Sequence, residues 1–168
     1  MLQVFEAKVK HGRMALPVVP FVRYNTAVME QTQISALAER VGREVELKGW
    51  AYNFRSSGKI FFLQLRDGTG RVQAVFNAAE LPSDQWSQLD LLRIESSVIV
   101  RGVVKAEPRA PSGFEIQGTA FAVIQLASDE YPIGKKDHGP DFLLDHRHLW
   151  LRSERQWAIQ RIRHTLIN

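Results

Sequence analysis

Two neighbouring segments, residues 59–66 and 71–76, alternate between apolar side chains and side chains that could bind nucleic acid. Successive residues of a β-strand point to opposite faces, so the apolar set would form a core and the other set an outer face. We predict that the outer face presents Phe62 and Gln73 among further amides and guanidiniums. A ring stacks on an unpaired base, an amide reads a base edge, and cations hold phosphates. Alternatively, Phe62 lies under a loop or helix as a satellite of the core. The inward set consists of Phe61, Leu63, Leu65, Val72, Ala74 and Phe76.

Further candidates flank these strands. Residues 55–59 are predicted to form a flexible loop that carries two cations, Arg55 and Lys59. The loop could clamp phosphates or a base, although its composition is also typical of an ordinary solvated hairpin loop, which is the more common case. Glu115 and Gln117 share the outer side of the predicted fifth strand and could hydrogen-bond to a base. Simple solvent exposure is the favoured interpretation of that pair.

The sequence gives little indication of thiol, metal or catalytic chemistry. The absence of cysteine excludes disulfides, thiolate catalysis and cysteine zinc sites. His146 and His148 are two residues apart, which fits no common zinc signature, so structural roles are favoured. There is no Walker-type phosphate loop, nucleophile elbow or candidate triad, so we predict no catalytic residue and no metal site in this chain. Trp50 could stack on a base, but it is interpreted as a core residue at a barrel seam.

The elements that would position these residues are mainly strands. Three strands, a helix and two further strands follow one another, with an Asp-Gly hairpin turn at residues 67–70. This is the order of an OB-fold, a five-stranded Greek-key barrel with a helix between strands 3 and 4. The helix would start at Ser83 as N-cap and end at Leu92. The predicted strands are residues 44–53, 59–66, 71–76, 97–104 and 114–126, the last one broken near Gly118, and a helical turn precedes them at 35–41.

The rest of the chain differs in composition. A capping box from Ser153 to Gln156 predicts a C-terminal helix with an apolar stripe that includes Ile159 and Ile162. Residues 129–145 lose periodicity, and their prolines and glycines are typical of a linker. Met29 could serve as an alternative initiator. The predicted domains are a flexible extension (1–28), the OB-fold (29–127), a linker (128–152) and the start of a further domain (153–168).

The charge composition says little about which kind of partner the chain binds. The chain has 22 Lys and Arg against 18 Asp and Glu, an excess that permits a polyanionic partner without requiring one. No apolar run approaches the ~20 residues that span a bilayer. No secretory signal is clear. We therefore expect a cytoplasmic protein that does not bind membranes.

A resemblance to a known family is carried by four segments, residues 45–50, 55–60, 62–70 and 72–75. They read Val-Glu-Leu-Lys-Gly-Trp, Arg-Ser-Ser-Gly-Lys-Ile, Phe-Leu-Gln-Leu-Arg-Asp-Gly-Thr-Gly and Val-Gln-Ala-Val. They resemble the anticodon-binding domain of the class II aminoacyl-tRNA synthetases for Asp, Asn and Lys. Residues 142–153 (Phe-Leu-Leu-Asp-His-Arg-His-Leu-Trp-Leu-Arg-Ser) resemble the bacterial asparaginyl branch. The resemblance covers residues 30–168.

The resemblance implies roles for the candidate site residues that their spacing in the sequence does not establish. Phe62 would stack on the middle anticodon base, Arg55 and Gln73 would read the first two bases, and Glu115 matches an acidic position of the family less securely. The partner would be a tRNA with a GUU anticodon. The complete enzyme would be a homodimer that uses ATP and Mg²⁺. The chain would end before the catalytic motifs, need no cofactor and be inactive alone. The alternative is a free-standing OB-fold that binds single strands or another protein and has no ligase role.

Overall fold

The computed structural model describes residues 31–110, 112–128, 131–134 and 137–168, and the predicted extension at 1–28 lies outside them. The chain divides into two compact units between Glu130 and Tyr131. In the described part of the first unit, a 3₁₀ helix (Ile34–Arg40) precedes five strands and one helix. These are β1 (Glu44–Ser57), β2 (Ile60–Arg66), β3 (Arg71–Asn77), α1 (Ser83–Asp90), β4 (Ser97–Ala106) and β5 (Phe114–Gln125).

The five strands close into a barrel in the order β1-β2-β3-β5-β4. β3 and β5 run parallel, and the other neighbours are antiparallel. With α1 between β3 and β4, this topology confirms the predicted OB-fold. β1 is long enough to pair with β4 through its first half and with β2 through its second half, which closes the sheet on itself.

The barrel core confirms the predicted alternation. All six residues of the predicted inward set are at most 3% exposed. Phe61 stacks on Phe54 with ring centroids 5.6 Å apart and meets the edge of Trp86 at 6.4 Å. Phe76 meets Phe121 at 5.5 Å, and Gly118 lies against the Phe76 ring, where a Cβ would clash. Because one side of each strand is filled in this way, the other side must face outward.

A β-bulge in β1 decides which of its side chains reach that outer side. Ala51 pairs with Leu65 and Asn53 pairs with Gln64, so Tyr52 is an extra residue between two pairs. The ring of Tyr52 lies beside the guanidiniums of β2 and β3, whereas Phe54 packs against the core. The bulge therefore places two successive residues, Tyr52 and Asn53, on the outer side.

Side-chain hydrogen bonds fix the barrel where strand pairing ends. In α1, Gln85 Oε1 accepts from the amide of Phe121 at 2.8 Å, and Gln88 Oε1 accepts from Val123 at 3.0 Å. These bonds satisfy β5 beyond the segment that pairs with β3. At the β2–β3 turn, Asp67 accepts from the amides of Thr69, Gly70 and Ile34 at 2.7–2.9 Å. Asp67 thus joins the turn to the 3₁₀ helix.

Some predicted boundaries were wrong. β1 continues to Ser57 instead of ending at Asn53, so only Gly58 and Lys59 form the turn before β2. Gly58 has φ +61°, which glycine adopts readily at the first central position of a two-residue hairpin. Helix α1 has Pro82, not Ser83, at its N-cap and ends at Asp90. The predicted break in β5 is a register irregularity opposite Arg101 and Gly102, within one strand.

The described residues of the second unit form three helices, α2 (Pro140–Asp145), α3 (Arg147–Trp150) and α4 (Glu154–Ile167). The first two lie inside the segment predicted to be a linker (128–152), so that segment is partly helical. Ser153 is the N-cap of α4, but no side-chain capping bond forms, and the buried Ser153 Oγ has no hydrogen-bond partner among the described residues. The apolar stripe of α4 is exposed, with Ile162 at 61% and Leu166 at 81%.

No described helix is both long and apolar enough to cross a bilayer. In the described ranges no three ligating side chains form a group that could hold a metal ion. His146 Nδ1 instead lies 2.9 Å from the carbonyl of Phe142, and its ring stacks on that of Phe142 at 4.4 Å.

Candidate nucleic-acid interface

The outward side chains of β1, β2, β3 and the start of β5 form one continuous surface, called the outer face below. Strand register arranges it in rows. The first row joins Arg55, Phe62 and Val75 across three strands. The second row joins Asn53, Gln64, Gln73 and Glu115 across four strands. The third row joins Arg66 and Arg71, beside the bulged Tyr52.

An arginine and an aromatic ring are stacked in the first row. The guanidinium carbon of Arg55 lies 4.2 Å from the centroid of Phe62. Arg55 had been assigned to a loop, but it lies within β1, directly opposite Phe62. Phe62 is half-buried and outside the core, so the alternative that it belongs to a core satellite is not supported. RNA bases stack on both aromatic rings and guanidinium planes, so a pair of this kind has the chemistry of a stacking platform.

An oriented amide lies in the second row. Gln73 Nε2 donates to Glu115 Oε2 at 2.9 Å, and both side chains are half-buried. A carboxylate only accepts hydrogen bonds, so the NH₂ group of Gln73 must face Glu115. The carbonyl oxygen of Gln73 is then the atom directed elsewhere, available to accept from a base edge. Glu115 is therefore not simply a solvent-exposed side chain, as favoured from the sequence, whereas Gln117 is exposed.

Lys59 stands at the end of the outer face nearest Phe62. It is the second residue of the β1–β2 turn and is exposed. Within the described part of the chain, neither Lys59 nor Arg55 takes part in an ion pair. Arg66 differs, because it is bound to Glu95 at 2.8 Å and only 16% of its side chain is exposed. Lys59 and Arg55 thus supply two cations for phosphates at the Phe62 end.

Two aromatic residues were misjudged from the sequence. Trp50 was expected in the core but is 41% exposed. Tyr52 was assigned only to a strand, yet its ring lies 4.7 Å from the guanidinium of Arg71 and 5.6 Å from that of Arg66. The sequence signal was present in the broken alternation at Asn53 and Phe54, where a polar residue precedes an apolar one out of phase.

A shallow depression adjoins the second and third rows. It is lined by Gln64, Arg71, Val72 and Gln73, and Ser112 contributes from the β4–β5 loop. Amide, guanidinium and hydroxyl groups converge there. Such groups suit the polar edge of a base better than an apolar ligand.

Comparisons with known proteins show what this barrel is similar to. Residues 45–124, from β1 to β5, match a family model described as an OB-fold nucleic acid binding domain. The asparagine–tRNA ligase of Sorangium cellulosum is 50% identical over 133 residues, 79% of this chain and 30% of the relative. That of Pelotomaculum thermopropionicum is 51% identical over 138 residues, 82% of this chain and 32% of the relative. The crystal structure of the asparaginyl-tRNA synthetase of Pyrococcus horikoshii matches with a TM-score of 0.75 and 39% identity. That match covers 83% of this chain and 34% of the other.

The chain is a relative of the asparaginyl-tRNA synthetases. The family model covers the barrel except for Glu44 and Gln125, so the barrel is similar to OB-fold nucleic acid binding domains. The chain spans about a third of the length of these relatives. The resemblance noted in the sequence is thereby confirmed for the synthetase family.

Proposed function

We propose that this chain recognises the anticodon of a tRNA as part of an asparagine–tRNA ligase, with GUU as the expected anticodon. The observation that carries the proposal is the stacked Arg55–Phe62 pair beside the oriented Gln73 amide on one face of an OB-fold. The names of the relatives support the choice of tRNA and amino acid.

Each residue has a role that its surroundings support. Phe62 offers its ring to the middle base, and Arg55 extends the stack and contacts a neighbouring base or its phosphate. Gln73 accepts a hydrogen bond from a base edge, while Glu115 holds its amide in that orientation. Lys59 contributes a phosphate contact that is independent of sequence.

The chemistry of the complete enzyme is also part of the proposal. Aminoacylation of tRNA with asparagine would consume ATP with Mg²⁺ and would take place in a homodimer. We assign no catalytic residue to this chain and expect it to be inactive alone. Its contribution is selection of the tRNA.

Specific binding of the anticodon tests the proposal. Fluorescence anisotropy would compare a GUU stem-loop with a stem-loop of identical stem and loop length in which adenines replace the three anticodon bases. We expect at least tenfold tighter binding of the GUU loop at the same salt concentration. Equal affinity for the two loops would leave a non-specific single-strand binder and would contradict the proposal.

A further inference from the structure

We propose that Tyr52, with Arg66, Arg71 and Glu95, forms a second stacking site, which holds a nucleotide flanking the anticodon triplet. We call these four residues the Tyr52 site. The proposal rests on the proposed function, because it extends the same RNA-binding surface beyond the three anticodon bases.

The Tyr52 site repeats the chemistry of the Arg55–Phe62 pair at the opposite end of the outer face. Arg71 lies 4.7 Å and Arg66 lies 5.6 Å from the centroid of the Tyr52 ring. Rings and guanidinium planes both accept a stacked base, and the cations also attract its phosphate. Tyr52 is half-buried, so its ring is partly accessible.

The backbone around the Tyr52 site is organised to hold these groups in place. The bulge in β1 turns Tyr52 to the outer face, where regular pairing would not place it together with Asn53. Arg66 is held by Glu95, whose carboxylate is 2.8 Å away. Glu95 has φ +69°, a strained value for a residue other than glycine, and its amide donates to the carbonyl of Ala51 at 2.8 Å. Strained residues are retained where the surrounding structure or function requires them.

Distances along the strands place this site outside the triplet. A strand rises about 3.4 Å per residue, so the row of Gln73 lies about 7 Å from that of Phe62, and the row of Arg66 about 14 Å. With the middle base at Phe62, its neighbour reaches the amides of the second row. The nucleotide after that reaches Tyr52. The depression between Gln73 and Arg71 connects the second and third rows, so the RNA has a continuous polar path between them.

The test pairs protein variants with RNAs that lack one base. The RNAs are the GUU stem-loop and two versions with an abasic nucleotide directly 5′ or directly 3′ of the triplet. The proteins are the unchanged chain, Tyr52→Leu and Phe62→Ala. We expect Tyr52→Leu to weaken binding of the intact loop about 5- to 150-fold, the range for loss of one stacked base. One of the two abasic loops should bind Tyr52→Leu and the unchanged chain alike, while Phe62→Ala should still weaken its binding.

The outcomes separate this inference from the proposed function. If Tyr52→Leu binds the intact loop normally, or weakens all three RNAs equally, the second site is overturned while a loss with Phe62→Ala still supports anticodon binding. If Phe62→Ala has no effect either, the anticodon assignment fails as well. A 2-aminopurine at each flanking position keeps the test independent of variant folding. Its fluorescence should fall on binding to the unchanged chain at one position, and no change at either position would overturn the inference.

Discussion

Phe61 and Phe62 are adjacent, yet their replacement by alanine should have opposite consequences. Phe61 is 3% exposed and packs between Phe54 and Trp86. Removing such a ring lowers the free energy of unfolding by about 3–5 kcal/mol. For a barrel of this size, that corresponds to a fall in Tm of about 12–40 °C. Phe62 is half-buried and outside the core, and its contact with the exposed Arg55 is worth about 0.5–1 kcal/mol.

The effects on RNA affinity should be the reverse, with Phe62→Ala impaired and Phe61→Ala nearly unaffected. Phe62→Ala should weaken binding of the GUU stem-loop by about 1–3 kcal/mol, because one base loses its platform. Phe61→Ala, assayed well below its Tm, should bind nearly as the unchanged chain does. Thermal melts by circular dichroism and anisotropy titrations of both variants give the comparison. If Phe62→Ala melts the barrel while Phe61→Ala is tolerated, the facing of β2 described above is refuted.

Three further predictions concern Gln73, Lys59 and helix α4. Gln73→Ala should cost about 1 kcal/mol or more of binding free energy for the GUU loop and little for the adenine-substituted loop, because a base edge loses its hydrogen-bond partner. Equal losses for the two loops in anisotropy titrations would contradict base reading. Lys59→Ala should weaken binding of both loops alike and reduce the magnitude of the slope of log affinity against log salt concentration by about 0.7, as expected for one lost phosphate contact. An unchanged slope would exclude that contact. Deleting residues 153–168 should make the chain more monodisperse in light scattering, because Ile162 and Leu166 are exposed on α4; increased association would show that α4 protects the fold.

The sequence predicted the strands and their facing well because one side of each strand must be buried. A slip of one residue would exchange Phe61 for Phe62 in the core, so the alternating pattern allows a single register. The same pattern could not locate Tyr52, because a bulge depends on how β1 pairs with β2. It also misplaced Arg55, since Ser56 and Ser57 resemble loop residues until strand pairing extends to the two-residue turn.

The sequence pattern does not predict long-range contacts or short helices. Gln73 and Glu115 are 42 positions apart and meet only because β3 and β5 run side by side. Helix α2 spans six residues and buries none of them, so no apolar periodicity marks it, although Pro140 at its first position is a favourable start. Ser153 and Gln156 match a capping box in type and spacing, yet the side-chain bond does not form.

The central claim is that the outer face, and no other side of the barrel, receives the anticodon. Amide chemical shifts of the ¹⁵N-labelled chain, recorded during titration with the GUU stem-loop, test it most directly. We predict the largest changes at Arg55, Phe62, Gln73 and Glu115, with little change at Glu46 and Arg101. These last two form an ion pair at 2.7 Å on the β1–β4 side of the barrel. Changes concentrated around Glu46 and Arg101, with the outer face unaffected, would contradict the account.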